Sequence, residues 1–208
     1  NKSRRMTTAT ARALAQAGHA VLQLDLAGCG DSPGDWSTAS WKQWRQDVLA
    51  GAKWLRSAHP AVSPLWLWGF RAGALIAAEA LPELDDDTHL LLWQPATQGR
   101  AVLQQFLRLK SLGEAAEGGA RSTTAELRRQ IDDGLALKIA GYTLSAELAA
   151  GLDASRLAPP DVPRTGSRHL VLLECQPSRD QEGAPGTLSP SPAIQQAAAA
   201  WSTAGWSV

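Results

Sequence analysis

The stretch that decides the fold is Leu65–Gly73, which reads LWLWGFRAG. Its apolar and aromatic first half predicts a buried strand, and the helix-forming run ALIAAEAL from Ala74 predicts a helix directly after a sharp turn. Gly69 and Gly73 have the spacing of a G-x-S-x-G nucleophile elbow, which presents a serine above a sheet. The central residue is Arg71, whose guanidinium stays protonated and has no lone pair for attack. The turn therefore predicts a hydrolase scaffold, and its central residue argues against serine-type hydrolysis.

A second strand is predicted by the almost continuous apolar run Ala20–Leu26, whose composition is typical of a strand covered on both faces. The glycine-rich segment AGCGDSPGD follows at residues 27–35. A dinucleotide-binding G-x-G-x-x-G loop is the rival interpretation, but it needs a helix that starts at once, and Pro33 and the Gly34-Asp35 turn argue against one. We expect instead a loop that borders the functional site and contains Gly28, Cys29, Gly30, Asp31 and Ser32.

Four segments carry a resemblance to a known family: NKSRRM at 1–6, DLAGCGDS at 25–32, LWLWGFRAG at 65–73 and LLLWQP at 90–95. Together they closely resemble the second type of exosortase A system-associated hydrolase, a branch of the α/β-hydrolase superfamily encoded with bacterial exopolysaccharide loci. The resemblance covers nearly the whole chain and implies that arginine at the elbow belongs to the family pattern. It also implies a nominal ester or acyl hydrolase activity, a label that rests on fold analogy.

The resemblance and the element order predict an α/β fold, a three-layer sandwich with a mostly parallel sheet and a helical lid insertion. The core is expected at 1–96 and 168–208, and the lid at 97–167. Parallel strands are predicted at 20–26, 65–68, 90–93 and 170–174, and Trp206–Val208 would begin another. Because the first predicted element is a helix at 4–17, we expect this sequence to lack the family's N-terminal strands, its oxyanion loop and most of its C-terminal strand.

Composition excludes several classes of function. The 208 residues carry 20 basic and 20 acidic side chains, and this zero net charge argues against a general nucleic-acid-binding protein. No apolar run approaches the ~18 residues of a membrane span. Cys29 and Cys175 are far apart and lack metal-ligand spacing, which favours free thiols in a reducing cytoplasm and predicts neither a metal site nor a cofactor.

A complete hydrolase triad cannot be assembled from the sequence. The base should be a histidine after the last strand, whereas His19, His59, His89 and His169 lie at predicted strand starts or in a helix-ending turn. Each is expected away from the elbow. The acid should follow the strand near Cys175, where the candidates are Glu174 and Asp180. Cys29 has no base near it in sequence, and Ser32 is expected to support its loop through main-chain hydrogen bonds.

Two hypotheses remain for Arg71. Its guanidinium can pair with an internal carboxylate, from Asp31, Glu174 or Asp180, or it can bind the carboxylate or phosphate of a ligand. The protein is accordingly either a hydrolase with an unrecognised nucleophile or a pseudoenzyme, a non-catalytic anion-binding or scaffold protein on a hydrolase fold. The expected ligand is a small molecule, such as an acyl or saccharide compound that can carry an anionic group. The sequence leaves protein partners open.

Overall fold

The computed structural model describes residues 2–116, 122–161, 166–175 and 189–208. The helices and strands, in chain order, are α1 (Lys2–Gln16), α2 (Trp41–Ala58), β1 (Leu65–Phe70), α3 (Gly73–Ala80), β2 (Thr88–Trp93), α4 (Gly99–Ala116), α5 (Thr124–Asp132), β3 (Leu137–Ile139), β4 (Tyr142–Leu144), α6 (Ala146–Ala154), β5 (Leu170–Leu173) and α7 (Pro192–Thr203). No helix within these described ranges has the length and apolarity that a membrane crossing requires.

The sheet confirms the predicted α/β class. Strands β1, β2 and β5 pair in parallel in the order β1-β2-β5, with Leu67 opposite Leu90 and Leu92 opposite Leu172. Leu90 and Leu92 are completely buried because neighbouring strands flank β2 on both sides and helices cover the sheet. The crossover helix α3 is almost wholly apolar and buried, as a helix between two parallel strands must be. Three of the four predicted strands are therefore present.

The prediction of a fourth strand at Ala20–Leu26 is wrong. Its residues take no strand assignment, and the main chain of 20–24 makes no hydrogen bond to any described residue. Side chains hold the segment instead: Gln23 bonds the threonines of α1, and Leu24 packs so closely on Gly51 of α2 that a Cβ there would lie 2.7 Å from a leucine methyl. The apolar pattern predicted a strand covered on both faces, but Val21 and Leu24 are exposed, and strand structure also needs a neighbouring main chain to pair with.

The C-terminal residues begin to extend the sheet on its other side, as their sequence predicts. Ser207 forms a parallel bridge with His169, and its carbonyl oxygen accepts a hydrogen bond of 2.8 Å from the Leu170 N–H. The preceding helix is anchored by the completely buried Trp201, whose ring meets that of Trp206 edge to face at 4.8 Å between centroids. This aromatic pair holds the last residues against β5.

Residues 97–161 are mainly helical, as expected for this part of the chain, and also contain one element that was not predicted. A capping box of Thr123 and Glu126 begins α5. A short antiparallel hairpin, β3–β4, follows, and its two-residue turn places Ala140 at φ 47° and Gly141 at φ 88°. Two positive φ angles in succession are the geometry of a type I′ hairpin turn. The alternating triplets LKI and YTL on either side of Ala-Gly were the signal for it.

Tryptophans of α2 join residues 97–161 to the rest of the protein. Trp41 and Trp44 are buried, and a Cβ at Gly151 of α6 would lie 2.2 Å from the Trp41 Cβ, so only glycine permits this contact. The Trp41 indole N–H donates to Glu79 of α3 at 2.8 Å. Burial raises the pKa of this carboxyl group, while the indole bond opposes the shift. Trp41 and Trp44 therefore pack in the core.

Truncation of the central strand tests this packing. We expect Leu90→Ala to lower the free energy of unfolding by about 2–5 kcal/mol, since it opens a cavity at a position with no solvent exposure. Leu135→Ala is the matched control, because Leu135 is 55% exposed and surface changes usually stay within about 0.5 kcal/mol. Urea denaturation followed by tryptophan fluorescence measures both, and equal losses would contradict the assigned core.

Acid should weaken the fold at the end of α4. Hydrogen bonds from Lys110 and from the Ser122 N–H lower the pKa of Glu114 from 4.5 to about 2. Because the folded-state pKa is depressed, this stabilisation is complete above the ordinary pKa and is lost as the pH falls toward about 2. In urea denaturation, Glu114→Gln should be less stable than the wild type at about pH 6 and approach it near about pH 2. A stability difference between the two proteins that stays the same from about pH 6 to about pH 2 would contradict this role of Glu114.

Candidate functional site

The turn after β1 has the geometry of a nucleophile elbow. Arg71 has φ 55°, in the left-handed region that non-glycine residues rarely occupy. Its N–H donates to the Trp93 carbonyl at 3.1 Å, and its own carbonyl accepts from the N–H groups of Ala74 at 3.2 Å and Ala96 at 3.1 Å. These three main-chain bonds hold the strained conformation and place Arg71 at the carboxyl edge of the sheet, directly before α3.

The two elbow glycines differ in what they do. A Cβ at Gly69 would lie 2.6 Å from the Ala74 Cα, so glycine is required for strand β1 to approach helix α3 this closely. At Gly73 a Cβ would meet nothing within 4 Å, and no positive φ is recorded there. The first glycine of the motif is therefore a packing requirement of the junction, whereas the second is not sterically required.

The Arg71 side chain is exposed, and no described carboxylate pairs with it. Asp31 instead lies 3.6 Å from Arg4, and Glu174 accepts a hydrogen bond of 2.7 Å from the Ser191 N–H. The expected internal ion pair is thus absent for both of these acids. The third candidate partner, Asp180, lies outside the described residues.

The ends of β2 and β5 contribute neighbours that the sequence did not single out as site residues. Gln94 directly follows β2 at φ 46°, and its side-chain oxygen accepts from the Cys175 N–H at 2.7 Å. The Cys175 thiol is exposed, and its sulfur accepts from the Trp93 indole N–H at 3.3 Å. Gln94 directly follows β2 and Cys175 lies two residues after β5, which was the available signal, because such positions meet at one edge of a parallel sheet.

The glycine-rich loop is built around the Asp25 carboxylate. Arg4 binds both oxygens of this group at 2.9 and 2.7 Å, and the Asp31 N–H donates to it at 3.1 Å. These bonds hold the pKa of Asp25 below its ordinary value, with the Arg4 hydrogen bonds as the main cause. The Ser32 hydroxyl donates to the Asp25 carbonyl at 2.5 Å, which is the supporting role expected for it.

Glycine is required at two loop positions. At Gly28 and Gly30 the φ angles are 74° and 56°. A Cβ would lie 2.7 Å from the Asp35 main chain at the first position and 2.3 Å from the Asp25 carboxylate at the second. The spacing that imitates a nucleotide-binding motif therefore serves the path of the loop around its own carboxylate.

Cys29 is not set up as a nucleophile. Its sulfur accepts from the Trp36 indole N–H at 3.0 Å, and burial raises the pKa of the thiol above its ordinary value. A catalytic cysteine needs the opposite shift and a base within reach. The neutral thiol instead fills space beside Trp36 in the partly buried loop.

The histidines lie away from the elbow. His89 is the second residue of β2, and His169 directly precedes β5. Both are therefore at the opposite edge of the sheet from Arg71. Their rings meet at 5.0 Å between centroids, and Trp66 packs on His89 at 4.8 Å. Burial lowers the pKa of His89. No histidine is therefore placed to serve as a base for the elbow in the described part of the chain.

The groups at this edge of the sheet can bind a negatively charged ligand group. Arg71 presents an exposed guanidinium, and the N–H groups of Ala72 and Gly73 at the start of α3 have no acceptor among the described residues. A cation beside free amide groups at a helix start favours an anion. Within the described ranges, no cluster of histidine, cysteine, aspartate and glutamate could hold a metal ion.

Removal of the Asp25 charge should loosen the loop. We expect Asp25→Asn to accelerate amide hydrogen exchange across residues 28–34 several-fold, because the neutral amide weakens the bidentate bond with Arg4. Asp31→Asn is the control, since that side chain is 98% exposed and lies only near Arg4. Mass spectrometry of peptides covering the loop measures both variants. Equal exchange in the wild type and Asp25→Asn would contradict the role of this carboxylate.

Comparison with known proteins supports the architecture. Residues 1–129, more than half of the chain, match the family described as "Serine aminopeptidase, S33", also called Hydrolase_4. No curated protein matches the chain. The match includes the glycine-rich loop, the elbow and the parallel strands β1 and β2. The chain therefore belongs to the S33 serine aminopeptidase family of the α/β-hydrolase superfamily.

Proposed function

We propose that this protein is a non-catalytic member of the hydrolase fold that binds an anionic group of its ligand at Arg71. The observation that carries the proposal is the exposed guanidinium at the elbow, in the place of a serine nucleophile and without a described carboxylate partner. The ligand group that suits it is a carboxylate or a phosphate, since both accept two parallel hydrogen bonds from arginine.

The main-chain geometry at the elbow supports anion binding. Arg71 uses its own N–H for Trp93, but the next two amide groups, at Ala72 and Gly73, have no acceptor in the part of the chain that the structure describes. Both belong to the start of α3, where the helix dipole adds partial positive charge. A bare cation at this position is unfavourable by about 0.3–1 kcal/mol, and an anion bound between it and the amides removes that cost.

The same residues argue against serine-type catalysis. Arginine cannot attack an ester, and the histidines that the structure describes at the strand starts are at the opposite edge of the sheet. We also propose, from the four segments that resemble the exosortase A-associated family, that the ligand belongs to exopolysaccharide production. An acyl or saccharide compound with an acidic group would supply the anion for Arg71 and would also fit exopolysaccharide production.

Charge removal at Arg71 tests anion binding. We expect Arg71→Gln to weaken binding of inorganic phosphate or succinate at least about tenfold, since a charge-assisted hydrogen bond contributes about 1.5–3 kcal/mol. Arg71→Lys should retain part of the affinity. Arg108→Gln, on the exposed face of α4, is the matched control and should bind like the wild type. Isothermal titration calorimetry measures all four proteins, and equal affinity of Arg71→Gln and wild type would refute the assignment.

The rival function is ester or acyl hydrolysis through an unrecognised nucleophile, which the family match favours. Treatment with a fluorophosphonate probe and assay with p-nitrophenyl acetate separate the two functions. We expect no covalent labelling and no turnover, in the wild type or in Arg71→Ser, because the elbow has no histidine in reach among the described residues. Labelling of a defined residue, or turnover gained by Arg71→Ser, would favour the hydrolase.

A further inference from the structure

Gln94 lies directly beside Arg71 at the carboxyl edge of the sheet. The Arg71 N–H donates to the Trp93 carbonyl at 3.1 Å, and the Arg71 carbonyl accepts from the Ala96 N–H at 3.1 Å. These two bonds hold residues 93–96 against Arg71. Gln94 therefore continues the register of β2 opposite Arg71, one strand spacing of about 4.8 Å away. The φ angles of Arg71 and Gln94 are 55° and 46°, so both main chains are fixed in the left-handed region.

One hydrogen bond sets the orientation of the Gln94 side-chain amide. Its oxygen accepts from the Cys175 N–H at 2.7 Å. A main-chain N–H can only donate, so the amide oxygen has to face Cys175 and the amide NH₂ group is turned away from it. Gln94 is partly exposed, and its NH₂ group has no acceptor among the residues that the structure describes. An oriented donor next to Arg71 is thus left for a ligand.

Three neighbouring parts of this edge provide hydrogen-bond donors. Arg71 offers a two-donor fork, the start of α3 offers the N–H groups of Ala72 and Gly73, and the end of β2 offers the Gln94 NH₂ group. A carboxylate has two oxygens in one plane, and the guanidinium fork alone can occupy both. A terminal phosphate group has three acceptor oxygens in a tetrahedral arrangement, so it can accept from all three parts at once.

We propose that the anion bound at Arg71 is a terminal phosphate group, and that Gln94 selects it over a carboxylate by donating to a further phosphate oxygen. This inference rests on anion binding at Arg71, the proposed function, and adds the class of anion and the residue that distinguishes it. Because the Gln94 amide is neutral, it contributes a directed hydrogen bond and no second charge that would attract carboxylates equally.

Calorimetry tests the selectivity on the full 208-residue chain. Gln94→Met keeps the length of the side chain and removes its amide. We expect this variant to bind inorganic phosphate and glycerol phosphate at least about tenfold more weakly, since a hydrogen bond to a charged group is lost. Its affinity for succinate should change by less than about threefold, because the Arg71 fork remains. Tighter binding of glycerol phosphate than of inorganic phosphate by the wild type would assign an organic phosphate, and the reverse a free phosphate.

A matched variant and a direct signal separate recognition from structural support. Gln46→Met, at an exposed position of α2, should bind all of these anions like the wild type. In isotope-labelled wild-type protein, the side-chain NH₂ resonance of Gln94 is identified by its absence from the spectrum of Gln94→Met. It should shift on titration with phosphate far more than on titration with succinate.

The possible failures are distinguishable. Equal losses of phosphate and succinate affinity in Gln94→Met would make Gln94 a structural support of the edge and overturn the inference, as would a Gln94 NH₂ resonance that phosphate leaves unchanged. Phosphate binding that is lost in Arg71→Gln and intact in Gln94→Met would overturn the inference and leave anion binding at Arg71 standing. A wild type that binds none of these anions would overturn both.

Discussion

The parallel pairing of β1 with β2, continued one residue beyond β1, is the interaction on which the rest of the structure depends. The Arg71 N–H extends the ladder to the Trp93 carbonyl, and the Arg71 carbonyl then accepts from two further amides. This arrangement turns the chain from strand to helix within two residues and requires glycine at position 69. Because the ladder is in register, the residues after β1, β2 and β5 reach the same edge, and the site is composed of them.

The charges around that edge explain why an arginine at the elbow remains available. The carboxylate of Asp25 is occupied by Arg4 and by the loop that it organises. Glu174 bonds the main chain at the start of α7. Of the carboxylates predicted to pair with Arg71, Asp31 lies near Arg4 and Glu174 bonds the main chain, and the guanidinium is exposed.

Indole groups connect the layers of the protein as much as they fill its core. Trp41 packs on α6 and donates to Glu79 of α3, while Trp36 and Trp93 donate to the sulfurs of Cys29 and Cys175. The indoles of Trp36, Trp41, Trp44 and Trp93 thus combine apolar packing with one hydrogen bond. The buried indole N–H groups of Trp68, Trp201 and Trp206 have no acceptor among the residues that the structure describes.

The sequence by itself determined the α/β class, the strand–turn–helix junction at Leu65–Gly73 and the absence of a serine from its centre, because periodicity and turn chemistry are local properties. It also predicted that Ser32 supports its loop. Only the tertiary structure decided that Ala20–Leu26 is not a strand, that Asp31 and Glu174 do not pair with Arg71, and that Gln94 and Cys175 lie at the site edge. Each of these depends on which main chain or charge comes close in space, and no local pattern of residues encodes that proximity.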